Sequence, residues 1–198
     1  MLRDMQNGER ELIKRIISGD REAYRELVER YQKMVFAVTY RLIGSYEDAL
    51  DMTQEAFVRA YKSLKSFKGR SKFSTWLYRI AVNTCYKTLK KKDRLMASRS
   101  ISLDEPIKVE DGRINREMAD NKIQAPDEEA VSSERMMLLR EALRGLDKEH
   151  YEVVALKALG GLSYDEISKE LCIPVGTVMS RLYRARRILK DRLKALDF

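Results

Sequence analysis

A three-to-four-residue spacing of apolar side chains runs through most of the chain, and it constrains the fold more than any other feature. Such spacing lines one face of an α-helix, whereas a half-buried strand alternates residue by residue. It recurs around residues 8–17, 20–43, 46–66, 71–92, 134–145, 147–159, 163–171 and 176–194, with no convincing period-two segment. Gly19-Asp20, Gly44-Ser45 and Gly69-Arg70-Ser71 punctuate the first half, and Gly145 and Gly160-Gly161 the second. The expected fold class is therefore all-α. Between Met96 and Ser133 the periodicity lapses, and Pro106, Gly112 and Pro126 lie among the acidic clusters Asp104-Glu105, Glu110-Asp111 and Asp127-Glu128-Glu129. Two small helical domains, 1–95 and 134–198, joined by a flexible acidic linker over 96–133, are the expected organisation.

A chain of 198 residues can build one or two small cores but no large enzyme scaffold. Its charge is layered: residues 1–94 carry 21 basic and 12 acidic side chains, residues 95–133 carry 5 and 9, and residues 134–198 carry 13 and 10. A basic, acidic, basic layout suggests two nucleic-acid modules around a different connector. No apolar run exceeds five residues (Met34 to Val38), so neither a signal peptide nor membrane insertion is expected, and the location should be cytoplasmic. Cys85, Cys172 and His150 are too few and scattered for a zinc site, so no metal or cofactor is expected. Both cysteines read as reduced packing residues, Cys172 within a turn and Cys85 within a helix.

The segment GLSYDEISKELCIPVGTVMSRLYRARRIL, residues 161–189, has the spacing of a helix-turn-helix. Ser163 and Glu166 can cap a first helix reciprocally, Pro174 and Gly176 interrupt the pattern after Leu171, and Thr177 can cap the start of a second helix. Ser168, Cys172 and Val178 are the compact side chains expected where the two helices approach. Val178, Leu182, Ala185 and Leu189 share one face of the second helix, and Ser180, Tyr183, Arg184 and Arg187 the other. From Thr177 to Lys194 seven basic residues, Arg181 among them, stand against one acid, Asp191. Arginine suits phosphate clamping and bidentate contact with guanine, so double-stranded DNA is the first candidate partner.

Two further helices carry chemistry. Around residues 46–66, Ala49, Thr53, Ala56, Phe57, Ala60 and Leu64 form an inward face, with Asp51, Gln54, Glu55, Val58 and Lys62 opposite as a solvated or protein-binding surface. In residues 66–94, Phe73, Leu77, Ile80, Ala81 and Thr84 form one face, while Thr75, Trp76, Arg79, Asn83, Tyr86 and Lys90 form a stripe alternating rings with donors. Such a stripe suits unstacked nucleic acid, because rings replace lost base stacking and Lys or Arg holds phosphate. The competing reading makes Trp76 and Tyr86 ordinary core aromatics.

The run EDALDMTQEAFVRAYKSLKSFKGRSKFSTWLYRIAVNTC, an acidic connector, and then LSYDEISKELCIPVGTVMSRLYRARRIL closely resemble the extracytoplasmic-function (ECF) group of bacterial sigma-70 family sigma factors. The resemblance covers both halves in order. It implies a sigma-2 domain that binds the clamp of bacterial core RNA polymerase and the promoter −10 element, and a sigma-4 domain that reads the −35 element and meets the polymerase flap. It places polymerase binding on Leu50, Asp51, Gln54 and Glu55. It places −10 contacts on the loop bearing Phe67, Lys68, Arg70, Lys72 and Phe73 and on the helix bearing Trp76, Arg79 and Asn83, which the stripe extends to Tyr86 and Lys90. It places −35 contacts on Met179, Ser180, Tyr183 and Arg184, to which the basic row adds Thr177, Arg181 and Arg187. Met179 departs from relatives, which often carry a polar residue there. The resemblance also implies an inhibitory anti-sigma factor and a linker that threads the polymerase's RNA exit path. It implies a specificity subunit, not a catalyst: the sequence has no nucleophile beside a base and no glycine-rich phosphate loop. The alternative is a conventional helix-turn-helix regulator that acts without polymerase, usually as a dimer on paired half-sites.

Overall fold

A computed structural model of the chain describes residues 2–99 and 126–195, and the side chains of residues 8–98 and 134–195. The described residues form α-helices α1 (Leu2–Ile17), α2 (Arg21–Ile43), α3 (Tyr46–Ser63), α4 (Phe73–Arg99), α5 (Pro126–Arg144), α6 (Lys148–Val154), α7 (Tyr164–Leu171) and α8 (Val175–Ala195). A 3₁₀ turn, Leu64–Ser66, follows α3, and a π-helical stretch, Ala155–Leu159, follows α6. Most of the expected linker lies outside the described residues.

Local chemistry sets the boundaries. Asp20 accepts from the Ala23 amide at 3.0 Å, Ser45 from Asp48 at 3.3 Å and Asp147 from His150 at 2.9 Å, each satisfying a first-turn donor that has no intrahelical partner. The reciprocal cap of α7 is present, with Glu166 accepting from the Ser163 amide at 3.0 Å and Ser163 from the Glu166 amide at 3.2 Å. Gly44 ends α2 at φ 86°, a left-handed conformation that costs glycine little, and its amide closes on the Tyr40 carbonyl at 2.8 Å.

Helices α2, α3 and α4 pack on one another, with α1 laid against α2 through Leu12, Ile13 and Ile16. Leu27, Val35, Ala56, Phe57, Leu77 and Ala81 fill the space between them. The second unit sets α7 and α6 against α8, and Tyr151, Val153, Leu156, Ile167, Val178 and Leu182 are its buried side chains. The two cores form one continuous apolar cluster where α4 meets α6 and the π-helical stretch. The Tyr86 and Tyr151 rings pack at a tilt of 50° with centroids 5.0 Å apart, and Tyr78 donates to the Ala155 carbonyl at 3.4 Å. A Cβ at Gly160 would stand 2.7 Å from the Leu156 carbonyl oxygen and 3.2 Å from the Tyr78 ring, so this crowded turn suits glycine.

Several expectations change. Helix α8 begins at Val175, before Thr177, whose amide donates to Pro174 O at 2.9 Å; the left-handed Cys172 at φ 54° has already turned the chain, leaving no role for a threonine cap. Cys172 ends α7 and is exposed, so it is not a packing residue; Ser168 instead ties the turn by donating to the Ile173 carbonyl at 2.6 Å. Cys85 is buried as expected, and burial pushes its thiol up to about 12. Helix α5 starts at Pro126, earlier than apolar spacing indicates. Proline presets the first-turn φ, a start signal that lies outside the apolar periodicity.

Candidate polymerase and nucleic-acid interfaces

Buried hydroxyls fix the rotation of α3. The Thr39 and Thr53 hydroxyls lie 2.9 Å apart and 3.1 and 2.7 Å from the Ala49 carbonyl oxygen, and their two protons are shared among these contacts, pinning one side of α3 to α2. The opposite side turns Leu50, Asp51, Gln54 and Val58 outward. Glu55 lies half-buried, its carboxylate accepting from the Arg59 guanidinium at 2.6 Å. A shallow groove runs from Asp51 and Gln54 across to Lys87 and Lys91 of α4. Beside it, Tyr24, Phe57, Val58 and Tyr61 line an apolar groove. Val58 is exposed on this face as expected, Tyr46 and Tyr61 extend it beyond the residues expected there, and the signal for them was their spacing along α3. An apolar strip among carboxylates and amides has the composition of a protein-docking surface.

The α4 stripe is assembled as expected, but it is not bare. Phe67, Phe73 and Trp76 form a ring cluster with centroids 5.2 to 5.5 Å apart. Phe73 is 1% exposed and belongs to the core, while Trp76 is half-buried against it. Lys68 and Arg70 are exposed on the loop, whose turn at Gly69 takes φ 66°.

From there the C-terminal unit covers the stripe. Arg79 Nε donates to Glu152 Oε1 at 2.7 Å, and its terminal nitrogen donates to the Glu170 carbonyl at 2.9 Å and carboxylate at 3.4 Å. Asn83 Nδ2 donates to the same Glu152 oxygen at 2.9 Å. Ser71 hydrogen-bonds the Glu170 carboxylate, and Lys72 reaches Glu166 at 3.4 Å. The Tyr86 ring packs at a tilt against Tyr151, and Lys90 donates to the Arg144 carbonyl at 2.6 Å. The core-aromatic reading thus describes Tyr86 in this arrangement.

The electrostatics follow from the burial. Glu152 and Glu170 side chains are 9% and 3% exposed, against 35% for Arg79. Burial alone would weaken the hold of Arg79 on its proton, but the two adjoining carboxylates more than offset this and its pKa is raised. Burial raises the Glu170 carboxyl, opposed by Ser71 and Arg79. Sequence reasoning missed Glu152 and Glu170. The available signal was a charge inside an apolar run, Tyr151 to Val154, and another beside Ile167 and Leu171.

Helix α8 presents the other row. Val178, Leu182 and Ala185 are buried, while Tyr183 is 70% and Met179 52% exposed, with Ser180, Arg184 and Arg187 also outward. Thr177 is half-buried, and Arg181 turns back to Glu149 at 2.7 Å with 22% of its side chain exposed. These two anchor α8 more than they extend its outer surface.

The comparisons agree with both halves. A sigma-70 region 2 family model matches residues 27–95, and a sigma-70 region 4 model matches residues 136–189. The ECF RNA polymerase sigma-E factor of Haemophilus influenzae is 35% identical over 185 residues, covering 93% of this chain and 95% of that one. The sigma-E factor of Escherichia coli is 36% identical, covering 93% and 94%. Among solved structures, CnrH in complex with the cytosolic domain of CnrY aligns with a TM-score of 0.54 at 25% identity, covering 94% of this chain and 97% of that one. The sigma factor RpoE bound to the anti-sigma factor NepR from Bartonella quintana shares the fold with a TM-score of 0.51 at 21% identity, covering 86% and 96%. Among the described residues, no helix is long and apolar enough to cross a membrane.

Proposed function

The chain belongs to the ECF group of the sigma-70 family of RNA polymerase sigma factors, and from that premise we propose how its residues divide the work. Residues 1–95 bind the polymerase clamp through Leu50, Asp51, Gln54 and Glu55, with Val58 extending that contact. The same unit captures the −10 element on the loop and stripe from Phe67 to Lys90, where Asn83 helps read a flipped base. Residues 134–198 read the −35 element through Met179, Ser180, Tyr183, Arg184 and Arg187 and meet the polymerase flap, and residues 96–133 connect the two. The protein acts in the cytoplasm as a specificity subunit and does no covalent chemistry.

The observation that carries this reading is the outward row on α8, set behind a capped α7 and a tight turn. That geometry supports insertion of α8 into a major groove, where an arginine–base pair contributes about 1–3 kcal/mol of discrimination. Met179 gives the row an apolar contact, suited to a thymine methyl. Each unit alone binds weakly, because much of its DNA affinity is phosphate electrostatics that salt suppresses. Polymerase holds both at fixed separation and makes the second contact intramolecular. Opening costs about 1.4 kcal/mol of stacking per base step. Stacking a captured base on an aromatic ring returns about 1–3 kcal/mol.

An anti-sigma factor is a further proposed partner, and the apolar groove of Tyr24, Phe57, Val58 and Tyr61 supports a protein ligand on that side. The test is transcription by bacterial core polymerase from a random promoter library, with and without this protein. A two-part promoter enriched only when both are present is the expected result. Enrichment of a palindromic site without polymerase would instead support the regulator reading.

A further inference from the structure

We infer that the cavity between α1, the loop before α4 and α7 is a binding site for a free nucleotide, whose phosphoryl groups are held by Arg10, Arg70, Lys72 and Lys169. The inference goes beyond the promoter contacts proposed above and does not depend on them. The cavity measures about 290 Å³ and draws its wall from three separate parts of the chain: Arg10 and Ile13 of α1, the stretch from Phe67 to Thr75, and Glu166 and Lys169 of α7. In this closed arrangement four cations line it against two carboxylates, Glu9 and Glu166. Both carboxylates are engaged. The Tyr31 hydroxyl holds Glu9, and Glu166 caps its own helix through Ser163 while taking Lys72 at 3.4 Å. Arg10, Arg70 and Lys169 are exposed and have no carboxylate partner among the described residues, and the Arg70 guanidinium meets Cys172 Sγ at 3.6 Å. Like charges that converge from three elements without acids to pair them favour an anion between them.

Two observations at the start of α4 point the same way. The helix is 27 residues long, and the amides of Phe73, Ser74 and Thr75 in its first turn find no acceptor among the described residues; the first closure is from the Trp76 amide to the Lys72 carbonyl at 3.1 Å. Such an end attracts phosphate through its free amides and the helix dipole. Thr75 lines the cavity at only 5% exposure, and its hydroxyl has no hydrogen-bond partner among the described residues. A buried hydroxyl left without a partner is costly, so an acceptor brought by a ligand is worth more there than on the open surface.

The apolar part of the wall decides between a bare anion and a nucleotide. Ile13 and Phe67 stand beside the cations, and half-buried Phe67 offers a ring on which a base can stack. The volume is near the lower bound of cavities that hold small molecules, so it takes one nucleotide and not a strand.

The test uses the full chain and adenosine triphosphate (ATP), with binding read by calorimetry and by the fluorescence of Trp76, the single tryptophan, whose ring centroid lies 5.2 Å from that of Phe67. ATP should bind in the millimolar range or tighter and weaken as salt rises. Adenosine should not bind, and tripolyphosphate should bind less well than ATP. Arg10→Glu and Lys169→Glu, which have no place in the promoter or polymerase contacts above, should each weaken ATP about tenfold. Lys33→Glu makes the same charge change on an exposed residue of α2 outside the cavity, and should alter ATP binding less than about twofold. Thr75→Val keeps the side chain's shape without its hydroxyl, and should weaken ATP about fivefold. The nucleotide site is overturned if ATP does not bind, if Lys33→Glu loses as much as the two cavity variants, or if tripolyphosphate binds as tightly as ATP. A pentadeoxyadenylate strand separates the two sources of nucleotide. Should the strand bind, indifferent to Lys169→Glu, while ATP does not, the free-nucleotide site fails and the sigma-factor assignment stands.

Discussion

Helices α4 and α8 each carry arginine and an aromatic ring on a polar face, yet they meet opposite surroundings. Arg79 and Asn83 on α4 are held by carboxylates from another part of the chain, whereas Tyr183, Arg184 and Arg187 on α8 face outward. Composition does not separate the two cases. Placement does: α4 is long and passes between the two units, so both of its sides find neighbours, while α8 lies at the rim of the small unit and packs along one side. A polar stripe at helical spacing is therefore a capability, and its availability depends on what else the chain brings near it.

The strongest way to break this contrast is to remove the joint itself. Tyr151 is 1% exposed and packs against the Tyr86 ring, so Tyr151→Ala should cost about 3–5 kcal/mol of stability and loosen both units, as measured by urea unfolding. Tyr151→Phe should cost little or nothing, because the Tyr151 hydroxyl finds no hydrogen-bond partner among the described residues. A cost confined to the C-terminal unit would show that the two cores are independent.

Next in size are the paired readers. Arg184→Ala should remove about 1–3 kcal/mol of discrimination at one −35 base pair and leave opening unchanged. Asn83→Ala should impair opening, read by permanganate reactivity, and leave −35 preference unchanged. If both variants damaged both steps, the division between α4 and α8 would be wrong. Arg187→Ala should act more weakly, lowering affinity evenly across sequences and reducing the salt slope by about one.

The smallest effects are in titration. The Glu166 carboxylate is held low, first by the Ser163 amide, so its capping contribution is present above its ordinary pKa and fades as pH falls through the lowered value. Glu170 is shifted the other way by burial, against the opposing pull of Ser71 and Arg79. Its contribution to the closed arrangement is present in acid and fades as pH rises through the raised value. Carbon-detected NMR of the side-chain carboxyls should find Glu166 below and Glu170 above free glutamate. Glu170 titrating at the ordinary value would mean that Ser71 and Arg79 offset the effect of its burial.

Much was legible in advance. The Ser163 and Glu166 cap, the inward face of α3 from Ala49 to Ala60 and the outward row of α8 all follow from spacing within a single helix, and each is present. What could not be read was the pairing of residues about 70 to 100 positions apart, such as Asn83 with Glu152 and Ser71 with Glu170. A buried glutamate inside an apolar run signals that a partner exists without saying which. The π-helical stretch after α6 was equally silent.

The sequence by itself determined the helices, their caps and their two-sided faces, because those depend on neighbours within about four positions. It also determined the family, through motifs on both halves. Only the tertiary structure decided which polar faces stay open, because burial and ion pairing between distant segments depend on how the two units dock. That is why Arg184 faces outward while Arg79, with similar chemistry, is covered by two glutamates of its own chain.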